Sequence, residues 1–205
     1  MGLASMEGGI ALATPIRLAV LASGRGSNLQ VLLDAWRQGE LPVEFVGVGS
    51  DQPEAPALER ARRAGVPTRV FVCDNKAEQE GQIVAWLRET GTQLLALAGY
   101  MRLLSGDFIQ RAGAPIVNIH PSLLPDFPGL RAQRQALEAG VKVSGCTVHF
   151  VDEGMDTGPV ILQRVVPVLA GDDEDKLSQR ILQAEHQIFP EAVRLVCRRL
   201  TGSDI

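Results

Sequence analysis

Short apolar runs alternate with amphipathic stretches along most of the chain. Residues 17–22 (RLAVLA) read as a buried strand, and Ser27–Arg37 then places Leu29, Leu32, Leu33 and Trp36 at helical spacing. The alternation continues with a strand at 43–48 and a helix at 55–64 that Gly65 and Pro67 close. A strand at 68–72 follows, then a helix at 76–90 with Ile83, Val84 and Leu87 on one side, and strands at 94–98 and 116–119. Strands and helices of these lengths in alternation predict an α/β fold: one domain with a mostly parallel central sheet, flanked by helices on both faces.

The remainder reads differently. A short helix is expected at 131–139 and longer strands at 144–151 and 160–168, joined by a loop at 152–159. The last helix is expected at about 173–199, with Asp172 or Asp173 as its cap and acidic residues in its first turn. No internal repeat or low-complexity linker interrupts the pattern. Residues 1–14 stand apart as an expected disordered tail or expression remnant, leaving 15–205 as the domain. Trp36 and Trp86 occupy apolar helix positions and are expected in the core.

The composition narrows the function classes. The chain has 205 residues, 45% hydrophobic, enough for a core without disulfides or a structural metal. Its three cysteines, Cys73, Cys146 and Cys197, are too far apart in sequence for metal or redox spacing, and they are expected as small apolar residues in a reducing, cytoplasmic setting. The net charge of −4 argues against a nucleic-acid partner. No apolar run is long enough to span a bilayer, so no membrane partner is expected.

Three segments carry candidate chemistry. The first strand runs into Ser23-Gly24-Arg25-Gly26-Ser27-Asn28, which opens a helix. Glycines let that backbone turn sharply, and a helix start offers unpaired N–H groups to an anion such as a phosphate. The loop lacks the third glycine of a dinucleotide fingerprint and the lysine of a Walker loop, and 48–51 offers no clear ribose acid. A plain strand-to-helix turn capped by Ser27 or Asn28 is the alternative. In the second segment, Asn118 and His120 lie two apart on a strand and project to one face at its carboxyl end. An amide beside an imidazole suits oxyanion stabilisation and proton movement. In the third, Asp156 sits in a bendable loop between Gly154 and Gly158. Brought to His120, its carboxylate would favour the charged, donating imidazole; by local sequence alone it reads as an acidic surface turn. His149 reads as a hydrogen-bonded residue of an apolar strand and His186 as packing or solvent-facing. Gly47 and Gly49 make 44–51 unusual without suggesting chemistry.

With these segments in order, the chain resembles the folate-dependent phosphoribosylglycinamide formyltransferases over roughly residues 17–200. The resemblance rests on 23–28 (SGRGSN), 98–104 (AGYMRLL), 118–125 (NIHPSLLP), the turn 128–130 (PGL), and 154–159 leading into 160–163 (VILQ). It implies a Rossmann-like fold, with phosphate and substrate binding in the N-terminal half and folate binding and catalysis in the C-terminal half. The catalytic trio would be Asn118, His120 and Asp156. Gly26, Ser27 and Asn28 would hold the substrate phosphate, and Glu185 the ribose hydroxyls. Met101, Arg102, Leu103 and Leu104, with Asn118, would line the folate site, and Lys76 stands where many members carry an arginine that meets the folate tail. A lysine there keeps the charge but loses the planar fork.

The implied reaction moves a formyl group from 10-formyltetrahydrofolate, as co-substrate, to the amine of glycinamide ribonucleotide in purine biosynthesis, without a metal. The expected partners are those small molecules alone, and the protein would be a monomer or homodimer. Two rivals share the chemistry. A formyltetrahydrofolate deformylase is expected to carry an added N-terminal domain, and a methionyl-tRNA formyltransferase an added C-terminal one. A non-catalytic nucleotide-binding module would need the glycine loop but not the trio, and a dehydrogenase would need a fuller dinucleotide fingerprint.

Overall fold

The structure, a computed structural model, describes residues 14–202. Apart from Thr14, the expected tail lies outside the described residues. A seven-stranded sheet runs through the domain in the order β3-β2-β1-β4-β5-β6-β7. Its strands are β1 (Ile16–Leu21), β2 (Val43–Ser50), β3 (Thr68–Val70), β4 (Leu94–Leu97), β5 (Ile116–His120), β6 (Val143–Phe150) and β7 (Val160–Pro167). β3 through β5 pair in parallel, and β6 and β7 add an antiparallel edge. The expected mostly parallel α/β architecture is the one observed.

Alternation along β1 shows how both faces are covered. Leu18, Val20 and Ala22 enter one apolar cluster with the helices α1 (Ser27–Arg37), α2 (Pro56–Arg63) and α6 (Glu174–Thr201). Ala19 and Leu21 enter the other, against α3 (Lys76–Glu89) and α4 (Gly106–Arg111). Trp86 is buried in the second cluster, and Trp36 packs on the first with its ring 5.2 Å from that of Phe45.

The unusual glycines of β2 are explained by this packing. A Cβ on Gly47 would stand 2.7 Å from the Trp86 ring, and one on Gly49 would stand 2.7 Å from Leu21 and Phe71. Both glycines let bulky side chains lie directly on the strand.

α2 ends just before Gly65 as expected, and α1 starts after Gly26 with no side-chain cap. Asp173 caps α6 by accepting from the Lys176 N–H at 2.8 Å, whereas Asp172 pairs with Arg180 at 2.7 Å. α5 (Ala132–Glu138) starts after Arg131, and α4 is an element the periodicity did not predict. Cys146 and Cys197 are buried and free, with thiols that burial pushes up to about 12 and about 11.

The strand order reverses between β1 and β4, and in an open α/β sheet that crevice at the carboxyl ends is where ligands bind. The glycine loop leaves β1 there, residues 98–104 leave β4, and the Asn118–His120 pair ends β5.

Candidate active site

The glycine loop is held from behind by α2. The Ala57 N–H donates to the Gly24 carbonyl at 3.2 Å, and Arg60 Nε donates to the Arg25 carbonyl at 2.8 Å. Gly26 then starts α1 with φ of 71°. A Cβ there would lie 2.7 Å from Ala57, so glycine is required both by the backbone and by the close approach. With these loop carbonyls engaged from the α2 side, the N–H groups at the start of α1 remain for an anion.

Asn28 and Glu185 meet beside that helix start. Asn28 Nδ2 donates to Glu185 Oε2 at 2.8 Å, and both side chains are buried. Burial pushes the Glu185 carboxyl up, partly offset by the Asn28 hydrogen bond. Asn28 Oδ1 is buried without a hydrogen-bond partner. Two of the residues singled out by the resemblance, Asn28 and Glu185, thus meet from packed helices that lie far apart in sequence.

The second patch is a cleft of about 540 Å³ lined by Met101, Arg102, Leu103, Leu104, Asn118 and His120, among others. A volume of that size suits a small-molecule ligand, and apolar walls with a few polar groups suit one with an apolar body. Met101 and Leu103 are exposed at its rim, and Leu104 is buried. Lys76 begins α3 outside the cleft lining, more than half exposed, with Nζ 3.8 Å from Glu80.

Within the cleft the trio converges. His120 Nδ1 lies 3.3 Å from Asp156 Oδ2, and Asp156 is only 15% exposed. Asp156 is thus no surface turn: it adopts the left-handed backbone region, with φ of 57°, and its Oδ2 accepts from the Gly129 N–H at 2.8 Å. His120 Nε2 stands 3.0 Å from the Phe127 carbonyl. The loop that sets Phe127 is itself anchored: the Thr147 hydroxyl donates to the Ser122 carbonyl at 2.7 Å, and Gln163 donates to the Leu124 carbonyl at 2.8 Å.

A fourth residue completes the cluster. His149 lies opposite Asn118 in the β5–β6 register, with Nε2 3.2 Å from Asn118 Nδ2 and 3.6 Å from Asp156 Oδ1. Its Nδ1 is 2.8 Å from the Phe150 carbonyl, which can only accept, so Nδ1 carries the proton. Burial pushes the imidazole down, so at neutral pH Nε2 is a lone pair that takes one hydrogen of the Asn118 amide. The expected buried, hydrogen-bonded histidine is present, but its place in the cleft was not visible in the sequence. Only the antiparallel register reveals it.

A doubly covered α/β sheet, a glycine-rich turn at a helix start and an amide–imidazole–carboxylate cluster in one cleft together have the make-up of an enzyme's active site. The Formyl transferase family matches residues 16–193, and the chain belongs to that family. It is 49% identical over 185 residues to the trifunctional purine biosynthetic protein adenosine-3 of Drosophila melanogaster, a match covering 88% of this chain and 14% of that protein. It is 42% identical over 181 residues to the phosphoribosylglycinamide formyltransferase of Bacillus subtilis, covering 87% of this chain and 93% of that one. The crystal structure of glycinamide ribonucleotide transformylase 1 from Symbiobacterium toebii superposes with a TM-score of 0.88 at 50% identity, covering 91% and 89% of the two chains. Among the described residues no helix is long and apolar enough to cross a membrane.

Proposed function

We propose that this chain transfers a formyl group from 10-formyltetrahydrofolate to the amine of 5-phosphoribosylglycinamide, giving the formylated ribonucleotide and tetrahydrofolate in purine biosynthesis. The observation that carries this reading is the convergence of Asn118, His120 and Asp156 in one cleft, on a fold shared with relatives named for that reaction.

The donor supplies the formyl carbon on N10. A bond forms between the acceptor amine and that carbon, the bond to N10 breaks, and a proton passes from the amine to N10. Asn118 uses one amide hydrogen on His149 and has the other for the formyl oxygen as negative charge develops there. His120 is held by Asp156 through Nδ1, and Nε2 exchanges the Phe127 carbonyl for the same oxygen. Asp156 holds His120 in this orientation and helps a water carry the amine proton to N10. Gly26, Ser27 and Asn28 hold the phosphate and Glu185 the ribose hydroxyls. Met101, Arg102, Leu103 and Leu104 wall the folate, and Lys76 meets its charged tail from outside the cleft. The scheme uses no metal and no nucleic acid.

The test is an assay that follows free tetrahydrofolate with both substrates, with formyl donor in water alone, and with charged initiator tRNA. Product that requires glycinamide ribonucleotide supports the proposal. Release in water alone would favour a deformylase, and formylation of tRNA would favour the other rival.

A further inference from the structure

Asp51 is a buried acid that the proposed chemistry does not use. It follows β2 with its side chain 2% exposed, and Arg102 Nε donates to its Oδ2 at 3.1 Å. The Gln52 amide donates to the same oxygen at 3.1 Å, and Oδ1 is buried without a hydrogen-bond partner. Burial pushes the carboxyl up, but the Ser23, Gln52 and Arg102 side chains beside it outweigh this and hold it below the usual range. Asp51 is therefore ionised at neutral pH. A buried charge is costly unless its partners are fixed, so an enclosed carboxylate with an undersatisfied oxygen needs a structural or functional reason.

The reason lies in what its partners do. Ser23 opens the glycine loop, and its Oγ accepts from the Met101 N–H at 2.8 Å. Met101 and Arg102 belong to the segment that walls the cleft. The Ser23 N–H also donates to the Gly99 carbonyl at 3.1 Å, so the anion-binding loop and the cleft wall are joined at this point. The Arg102 side chain is 55% exposed and would otherwise swing in solvent.

We propose that Asp51 is a positioning residue: it fixes the Arg102 guanidinium at the cleft and, with Ser23, locks residues 101–104 against the glycine loop. The two substrates are thereby held at a set separation. The inference rests on the proposed formyl transfer, because it takes the cleft as the folate site. Arg102 then presents a neutralised, oriented pair to the folate rather than a free cation.

The experiment measures tetrahydrofolate binding by calorimetry, and steady-state kinetics, for the wild type, Asp51→Asn, Arg102→Gln and the double variant. Asp51→Asn keeps the size of the side chain and removes its charge. It is expected to weaken tetrahydrofolate binding and raise the KM for the formyl donor on the order of tenfold, with kcat within about threefold. In the Arg102→Gln background the same change is expected to cost less than about twofold, because the pair acts as a unit. Unchanged affinity in folded Asp51→Asn, or an equal loss in both backgrounds, would overturn the inference while active wild type left the function intact. Should Asp51→Asn fail to fold, Ser23→Ala and Arg102→Gln decide: both must weaken tetrahydrofolate binding, and two variants that bind like wild type would overturn it. A wild-type chain that neither turns over nor binds tetrahydrofolate would overturn the function and the inference together.

Discussion

Asp156 Oδ2 stands 3.3 Å from His120 Nδ1, and the same oxygen takes the Gly129 N–H at 2.8 Å. One carboxylate oxygen thus joins the loop after β6 to the turn after β5 and to the imidazole between them. Because His120 Nε2 faces the Phe127 carbonyl at 3.0 Å, both ring nitrogens look onto oxygen acceptors. An imidazolium with two N–H groups satisfies both at once.

In the proposed mechanism Asp156 and His120 act as one unit. Asp156→Asn is expected to reduce kcat by about 10²-fold, in the range of a positioned proton-transfer group. His120→Ala should cost at least as much. The double variant should be no slower than the worse single one, because each loss already disables the unit. Single-turnover rates for the three variants check this, and fully additive losses would separate the two residues.

Asn118 has a different part to play. Its amide is steadied by His149 Nε2 at 3.2 Å, and the proposed mechanism gives the other amide hydrogen to the reacting oxygen. Asn118→Ala is expected to lower kcat by about 10²–10³-fold, the usual cost of one oxyanion donor, with circular dichroism and melting near wild type. Turnover close to wild type would remove Asn118 from the mechanism.

How far these features were legible depends on the range over which each is determined. β1, β4 and β5 are buried runs with turn signals at both ends, so local pattern placed them to within a residue or two. Gly106–Arg111 is only six residues, too short for a helical period to declare itself, although Ser105 does cap it by accepting from the Phe108 N–H. Asn118 and His120 were readable together because two residues of one strand share a face. His149 was not, since its partner lies across a strand pair whose register no local signal sets. Asp156 needed the resemblance, because nothing in a Gly-rich acidic loop says where it folds back. Asp51 and the glycines of β2 are explained only by Arg102, Trp86 and Phe71, which come from distant parts of the chain.

The glycine loop offers a test of the proposed anion site. Gly26→Ala forces a side chain into a backbone with φ of 71° and against Ala57 at 2.7 Å. The change is expected to cost about 1–3 kcal/mol of stability and to displace the start of α1. The KM for the phosphoribosyl acceptor should rise more than that for the formyl donor. Equal effects on both would mean that the loop does not hold the phosphate.

In the proposed site Glu185 sets stability against binding. Its carboxyl is raised by burial, so folding is favoured while it is protonated, below the ordinary glutamate range in the unfolded chain. That contribution is lost as pH rises through the folded value, because the unfolded chain ionises more readily than the native one. Glu185→Gln keeps an acceptor for Asn28 Nδ2 and removes the charge that must be buried. The variant is therefore expected to melt higher than wild type at pH 8, by about 2–4 °C, with the difference shrinking toward pH 4. An amide accepts fewer hydroxyl hydrogen bonds than a carboxylate, so the KM for the phosphoribosyl acceptor should rise about tenfold over the same series. Melting curves across pH, read beside acceptor KM values, separate the two effects: a stabilised variant with unchanged acceptor KM would leave Glu185 a buried acid with no part in holding the ribose.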